Sequence, residues 1–277
     1  MILVDVHAHL DHARFKDDLD DVISRAKEAG VKAVITSGVN STTNRMILKI
    51  DERYDIVKAS FGLYPIDALA AELDNDESLG ARLSETYGTA GSSFVRDTET
   101  IDVDNELEWI MKNKDKCIAV GECGLDYKWV KGKEKEQQRV FQKVIQTVEK
   151  IKKPIIVHSR KAELDAIEML ESSKIKKVVM HCFSGKKSLI KRAADNGWSF
   201  SVPPVITRLQ HFQMLVDMTN LSQLLTETDA PYLSPFRDRR NEPAFVAETI
   251  KKIAEIKGIT EEDAANNIYM NYTNIFL

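Results

Sequence analysis

Eight short apolar runs recur along the chain, each followed by a stretch of mixed polarity, and this alternation restricts the fold more than any other feature. They cover residues 4–11 (VDVHAHLD), 31–39 (VKAVITSGV), 56–65 (IVKASFGLYP), 117–127 (CIAVGECGLDY), 154–160 (PIIVHSR), 177–185 (KVVMHCFSG), 198–203 and 224–232 (LLTETDAPY). Runs of this length, rich in Val and Ile, read as buried strands. Between them, residues 17–29 place Leu19, Val22, Ile23 and Ala26 on one helical face before Gly30, and residues 135–152 turn Val140, Phe141, Val144, Ile145 and Val148 inward. Further helices follow at 43–53, from 161 through Leu170, through Ala194, at 209–218 and at 242–257, with a shorter one after Thr260. Strands alternating with helices require a parallel sheet covered on both faces, most simply a closed (β/α)8 barrel, the TIM-barrel architecture. A doubly wound open sheet is the alternative, but the glycine-rich phosphate loop expected after its first strand is missing. The barrel is expected to be distorted, because residues 66–116 extend the connection between the third and fourth strands. Within that connection, residues 87–102 (YGTAGSSFVRDTETID) read as a surface excursion, or alternatively as a lid over the barrel mouth.

The 277 residues suit one barrel domain spanning 1–277. No apolar stretch is long enough to cross a bilayer, and the N-terminus lacks a basic region followed by an apolar signal core, so a cytoplasmic protein is expected. Cys117, Cys123 and Cys182 are odd in number and unpaired in spacing, which fits a reducing compartment. A net charge of −4 provides no global basic field to recruit nucleic acid, so such a substrate needs local basic groups or bound cations. A monomer is expected.

In a barrel of this kind, chemistry sits at the C-terminal ends of the strands. There the chain carries His7 and His9, Glu122, His158, His181 and Asp229. Side chains alternate across a strand, so each of these shares its direction with apolar residues earlier in its run. Four histidines and two carboxylates converging in a core need a common partner, since unpaired buried polar groups are costly. Six ligands exceed the three protein groups typical of one open catalytic zinc; with one carboxylate shared they suit two ions about 3.5–4 Å apart. Mixed imidazole and carboxylate donors suit zinc, manganese or iron better than calcium, and leave magnesium open.

The motifs Asp5-Val6-His7-Ala8-His9-Leu10, Gly121-Glu122-Cys123-Gly124-Leu125-Asp126-Tyr127, Pro154 to Arg160, His181-Cys182-Phe183-Ser184-Gly185, Glu227 to Leu233 and Arg240-Asn241-Glu242-Pro243 together resemble the TatD-type metal-dependent deoxyribonucleases of the amidohydrolase superfamily. The resemblance spans nearly the whole chain. It implies hydrolysis of DNA phosphodiesters, with single-stranded 3′ ends as the expected substrate, by water activated between two divalent ions (Zn, Mn or Mg). It further implies that His7, His9 and Asp229 hold one ion, His158 and His181 the other, and that Glu122 bridges them while Asp229 handles the water proton. One departure is Gly62-Leu63-Tyr64-Pro65, where the family carries histidine in place of Tyr64. Tyr64 is therefore expected to meet substrate as a hydrogen-bond donor or a stacking ring.

Arginine forks suit phosphate oxygens, which makes Arg160 a candidate substrate contact, and the family motif in which Arg240 and Asn241 lie implies that they are candidate contacts too. For Arg237 and Arg239 a solvated loop, paired with Asp238 and Glu242, is an equal reading. Trp129, among the lysines of 128–133, reads as a half-buried loop residue before a stacking platform. His12 reads as a surface group or a support for the ligands, His211 as an exposed or packing group, Cys123 and Cys182 as facing away from the ligands, and Glu227 as support beneath Asp229. Two other functions fit the same sequence: an amide or ester hydrolase acting on an aminoacyl-nucleic acid or cyclic amide, and a metal-binding homologue without turnover.

Overall fold

The computed structural model describes residues 1–69, 101–129 and 131–277. Eight parallel strands form one sheet in sequential order: β1 (Leu3–Ala8), β2 (Val31–Ser37), β3 (Val57–Leu63), β4 (Ala119–Asp126), β5 (Ile155–Arg160), β6 (Val178–His181), β7 (Ser199–Val202) and β8 (Leu224–Thr226). Helices lie between them: α1 (Leu19–Glu28), α2 (Ser41–Arg53), α3 (Val103–Lys112), α4 (Glu134–Ile151), α5 (Glu163–Glu171), α6 (Lys187–Asp195) and α7 (Gln210–Met218), followed by α8 (Val246–Lys257) and α9 (Glu261–Phe276). This is the (β/α)8 TIM barrel expected from the alternation.

Local chemistry accounts for the elements. In α4 the apolar positions 140, 141, 144, 145 and 148 are all buried against the sheet, as the helical period requires. Asn40 caps α2 through its side chain on the Thr43 amide, and Thr43 returns a bond, closing a capping box. Gly30 turns α1 into β2 at φ +94°, and a Cβ there would lie 2.7 Å from the Met1 carbonyl oxygen, so the position accepts only glycine. At Gly62 a Cβ would sit 2.4 Å from the Glu122 amide nitrogen. The bare backbone of β3 is what lets β4 approach closely enough to deliver Glu122.

The ring closes between β1 and β8, through side chains more than through a ladder. One bridge joins Ala8 to Ala230. Around it, the Thr226 hydroxyl donates to the Val4 carbonyl at 2.5 Å and the Asp229 amide to the His7 carbonyl at 2.8 Å. Asp5, fully buried beneath, accepts the Thr228 amide at 2.9 Å and the Thr228 hydroxyl. Burial pushes the Asp5 carboxyl well above the usual carboxylate range, against the pull of those hydrogen bonds.

Several boundaries differ from the sequence reading. The eighth strand stops at Thr226, so Glu227 and Asp229 lie in a bend, with Asp229 in the left-handed region at φ +54°. The helix expected from residue 242 starts at Val246, because Pro243–Phe245 form a 3-10 turn first. The last helix is the longer of the two, 16 residues against 12, and buries Ala264, Ala265, Ile268, Tyr272 and Phe276. Apart from its last two residues, the 87–102 segment lies outside the described residues; the chain resumes at Ile101, and Asp102 caps α3 by accepting the Asn105 amide at 3.0 Å. Among the described residues no helix is long and apolar enough to cross a membrane.

Candidate metal centre

Strand ends and the backbone just beyond them bring all six expected ligands to one mouth of the barrel. The two oxygens of Glu122 face different pairs of histidines. Its Oε2 is 3.5 Å from His7 Nε2 and 3.4 Å from His9 Nε2, while its Oε1 is 2.8 Å from His158 Nδ1 and 3.8 Å from His181 Nε2. Asp229 Oδ1 lies 3.7 Å from His7 Nε2 and 3.4 Å from His9 Nε2. Two sets of donor atoms are compact enough to surround an ion: His7, His9 and Asp229, and His7, Glu122 and His181. His158 belongs to neither set, because its second nitrogen, Nε2, turns to Asp126 Oδ2 at 2.9 Å.

The donor set fits a divalent cation. His9 Nδ1 is 3.1 Å from the Ser37 carbonyl, an acceptor only, so its proton sits there and Nε2 presents a lone pair. His181 is fixed likewise, with Nδ1 2.6 Å from Glu227 Oε2. His7 Nδ1 lies 3.1 Å from the Ser37 hydroxyl. Three imidazoles thus have their outer nitrogens engaged and their Nε2 atoms turned inward, the arrangement by which neighbouring groups orient metal-binding histidines. His7 Nε2 and His9 Nε2 are only 3.2 Å apart, which a cation between the rings and the carboxylates would relieve.

Without a cation, protons do the neutralising. Burial alone would lower His9, but hydrogen bonds to Asp229 and Glu122 raise it well above its ordinary value. For His158, burial is likewise overcome by Asp126 and Glu122, which lift it to about 10. His181 also rises, the charge and hydrogen bond of Glu227 outweighing burial. His7 moves down, because burial and the adjacent His181 disfavour its charge. Burial would raise Glu122 and Asp229, yet both are held below the usual range: Glu122 by hydrogen bonds from His158, His7 and His9, Asp229 chiefly by the hydrogen bond from His9.

A cavity of about 390 Å³ opens over this cluster. Tyr64 and Arg160 line it as expected for substrate contacts. The Tyr64 phenol is already engaged: it donates to Asp126 Oδ2 at 3.0 Å, lies 3.4 Å from His158 Nε2, and is buried. Arg160 has no carboxylate partner among the described residues. Neither Arg240 nor Asn241 lines this cavity: Arg240 faces an adjoining hollow, and Asn241, expected as a contact, is buried away from both. Arg240 forks onto Asp18, at 2.9 and 2.6 Å. Asn241 is fully buried and donates to the Thr228 and Tyr232 carbonyls at 2.7 and 2.6 Å, holding the bend that carries Asp229.

Other residues fall into place or out of it. Glu227 supports the site as expected, binding His181, the Cys182 amide at 3.0 Å and the Ser201 hydroxyl at 2.5 Å. Cys123 is buried away from the cluster, whereas Cys182, at φ +43°, turns to line the cavity. His12 is buried, its ring edge-on to Tyr232 at 5.6 Å, and not a surface group. His211 is half-buried against the Phe183 carbonyl at 3.1 Å, and Trp129 is half-buried in its loop. Asp126 and Ser37 were not singled out as site residues. Asp126 shares the parity of Glu122 in β4, beyond the register shift between Val120 and Cys123, and that spacing could have found it. Ser37 ends the second apolar run and gave no comparable signal.

A parallel barrel whose C-terminal mouth holds buried imidazoles around two carboxylates defines the metal-dependent hydrolase class. The TatD related DNase family model matches residues 4–277, and the chain belongs to that family. A human protein named deoxyribonuclease TATDN3 is 33% identical over 99% of this chain and 94% of its own length. The Bacillus subtilis metal-dependent hydrolase YabD is 29% identical over 99% of both chains. The 3′-5′ ssDNA/RNA exonuclease TatD of Citrobacter koseri is 26% identical over 99% of this chain and 98% of its own. The fold matches the crystal structure of the Escherichia coli TatD homologue YjjV with a TM-score of 0.81, at 22% identity over 99% of this chain and 97% of that one.

Proposed function

We propose that the chain, acting as one barrel unit, hydrolyses phosphodiester bonds of single-stranded DNA from the 3′ end with two divalent ions. The observation that carries this reading is the division of Glu122, one oxygen toward His7 and His9 and the other toward His158 and His181. His7, His9 and Asp229 would hold one ion and His181, His158 and Glu122 the other, with Glu122 offering an oxygen to each. Bound there, divalent ions supply Lewis-acid activation of a water and neutralise phosphate charge.

The protein groups do the rest. Asp229 is the most accessible carboxylate of the cluster, its side chain 17% exposed, and accepts the proton of the attacking water. Arg160, on the cavity wall and 5.5 Å from the Trp129 ring, has no carboxylate partner among the described residues and holds a non-bridging phosphate oxygen. Tyr64 and Asp126 fix the His158 ring, so Tyr64 acts on substrate through ring position more than through its own hydroxyl. The human and Citrobacter relatives are named for action on DNA and on single-stranded DNA or RNA ends, which supports the choice of substrate.

The test uses single-stranded oligonucleotides labelled at either end. Protein treated with chelator should be inactive and regain activity with Mn²⁺ or Mg²⁺, releasing mononucleotides from the 3′ side first. Full activity in excess chelator would refute the reading.

A further inference from the structure

Beside the metal cavity lies a second, more open hollow of about 570 Å³, and five of the eleven residues that line it are arginines. Arg14, Arg208, Arg237, Arg239 and Arg240 face it, against a single acidic residue, Asp238. Tyr232 and Leu233 line both hollows, so the two form one continuous surface from the ligand cluster outward. In a chain of net charge −4 this is a local reversal of sign.

Pairing decides what these arginines are free to do. Arg240 is committed to Asp18, and Arg208 donates to the Ser234 carbonyl at 2.6 Å. Arg14, Arg237 and Arg239 are exposed and have no carboxylate partner among the described residues. The carboxylate that could have quenched the loop, Glu242, is taken by Arg25 at 2.7 Å. Arg239 instead lies 5.3 Å from the Phe236 ring, which leaves its donors toward solvent. Uncompensated guanidinium groups on a groove leading from a site call for a polyanion with charges spaced along its length.

We propose that this groove binds the sugar-phosphate backbone of the strand flanking the scissile phosphate, with Arg14, Arg237 and Arg239 each neutralising one phosphate. The inference rests on the nuclease reading above and deepens it: the preferred substrate is a polynucleotide that extends beyond the cavity, not a dinucleotide. The contacts are to backbone, so the groove confers length preference with little sequence preference.

The experiment is fluorescence anisotropy of a labelled single-stranded octanucleotide and a labelled dinucleotide, in chelator so that binding is read apart from turnover, across a series of salt concentrations. Wild-type protein should bind the octanucleotide at least tenfold more tightly than the dinucleotide. The double variant Arg237→Ala with Arg239→Ala should lose most of that difference, and its salt slope should fall by about 0.7 per arginine removed. The charge-keeping pair Arg237→Lys with Arg239→Lys should retain most of the slope, which separates charge from loop disruption. An unchanged slope and length preference in the alanine variant would overturn the groove. Tight, arginine-dependent binding without metal-dependent cleavage would instead keep the groove and refute the nuclease reading.

Discussion

Glu227 offers a sharp test of the metal centre, because replacing it with glutamine changes one atom and almost no volume. Its Oε2 receives His181 Nδ1 at 2.6 Å and the Ser201 hydroxyl at 2.5 Å, and its Oε1 receives the Cys182 amide at 3.0 Å. A glutamine keeps one oxygen and gains an NH2. If the oxygen stays on the Cys182 amide, the NH2 faces His181, whose Nδ1 must then accept and whose proton moves to Nε2, the atom that has to bind metal. If the amide flips, its NH2 opposes the Cys182 N–H in a buried pocket, an unsatisfied pair that costs about 1–3 kcal/mol. Either outcome predicts a loss of about 10–100-fold in affinity for at least one divalent ion in Glu227→Gln. Competition with a chromophoric chelator, titrated with Zn²⁺ or Mn²⁺, measures it, and a thermal melt of the metal-free variant confirms that it folds. Affinity within twofold of wild type for every ion bound would refute the role given to His181 and its partner.

Asp229→Asn should lower turnover by about 10²–10⁴-fold if the carboxylate accepts the water proton, with native circular dichroism; initial rates on a 3′-labelled oligonucleotide check it. Ions must displace protons from His9, His158 and His181, so metal affinity should rise with pH, and calorimetry in two buffers of different ionisation enthalpy should show proton release near neutrality. The metal-free fold should show the opposite trend. These histidines are raised in the folded state, so their contribution to stability is full below about 6.5, the ordinary value, and is lost as pH climbs toward the His158 value of about 10. Melting temperatures of metal-free and metal-loaded protein should therefore diverge as pH increases. Asn241→Ala strips donors from the buried Thr228 and Tyr232 carbonyls and should destabilise the protein by about 2–4 kcal/mol, read as a lower urea midpoint.

The barrel and the convergence of the six candidate ligands were legible in the sequence because strands, helices and most of the six positions follow local periodicity. The parity of Ile156 with His158 predicted the direction of the fifth strand's ligand, whereas in β4 a register shift between Val120 and Cys123 breaks the alternation of 118 and 120 before it reaches Glu122. Parity failed where the backbone left the strand. Cys182, expected to point outward from its position after His181, turns into the cavity because its φ is positive, and Asp229 reaches the cluster from a bend and not from a strand end. Roles set by long-range partners were illegible. Arg240 and Asn241 sit in a motif that reads as substrate contact, yet one is claimed by Asp18 and the other by two carbonyls across the bend. Conversely, Arg237 and Arg239 read as equally well paired or free, and only the capture of Glu242 by Arg25 tips the balance.

The closure of the barrel between β1 and the bend after β8 has a consequence for the order in which the protein comes to life. The first and last ligands, His7 and Asp229, meet at the same seam where Asp5 takes the Thr228 amide and hydroxyl across 223 positions of sequence. Contacts between such distant segments carry the largest loop-closure entropy and form late. A chain still emerging, or one with its C-terminal third unfolded, holds His7 and His9 without the carboxylate that completes their ion site. The proposed ion site is then assembled only with the last clasp of the ring, and folding itself sets the moment at which His7, His9 and Asp229 first share one pocket.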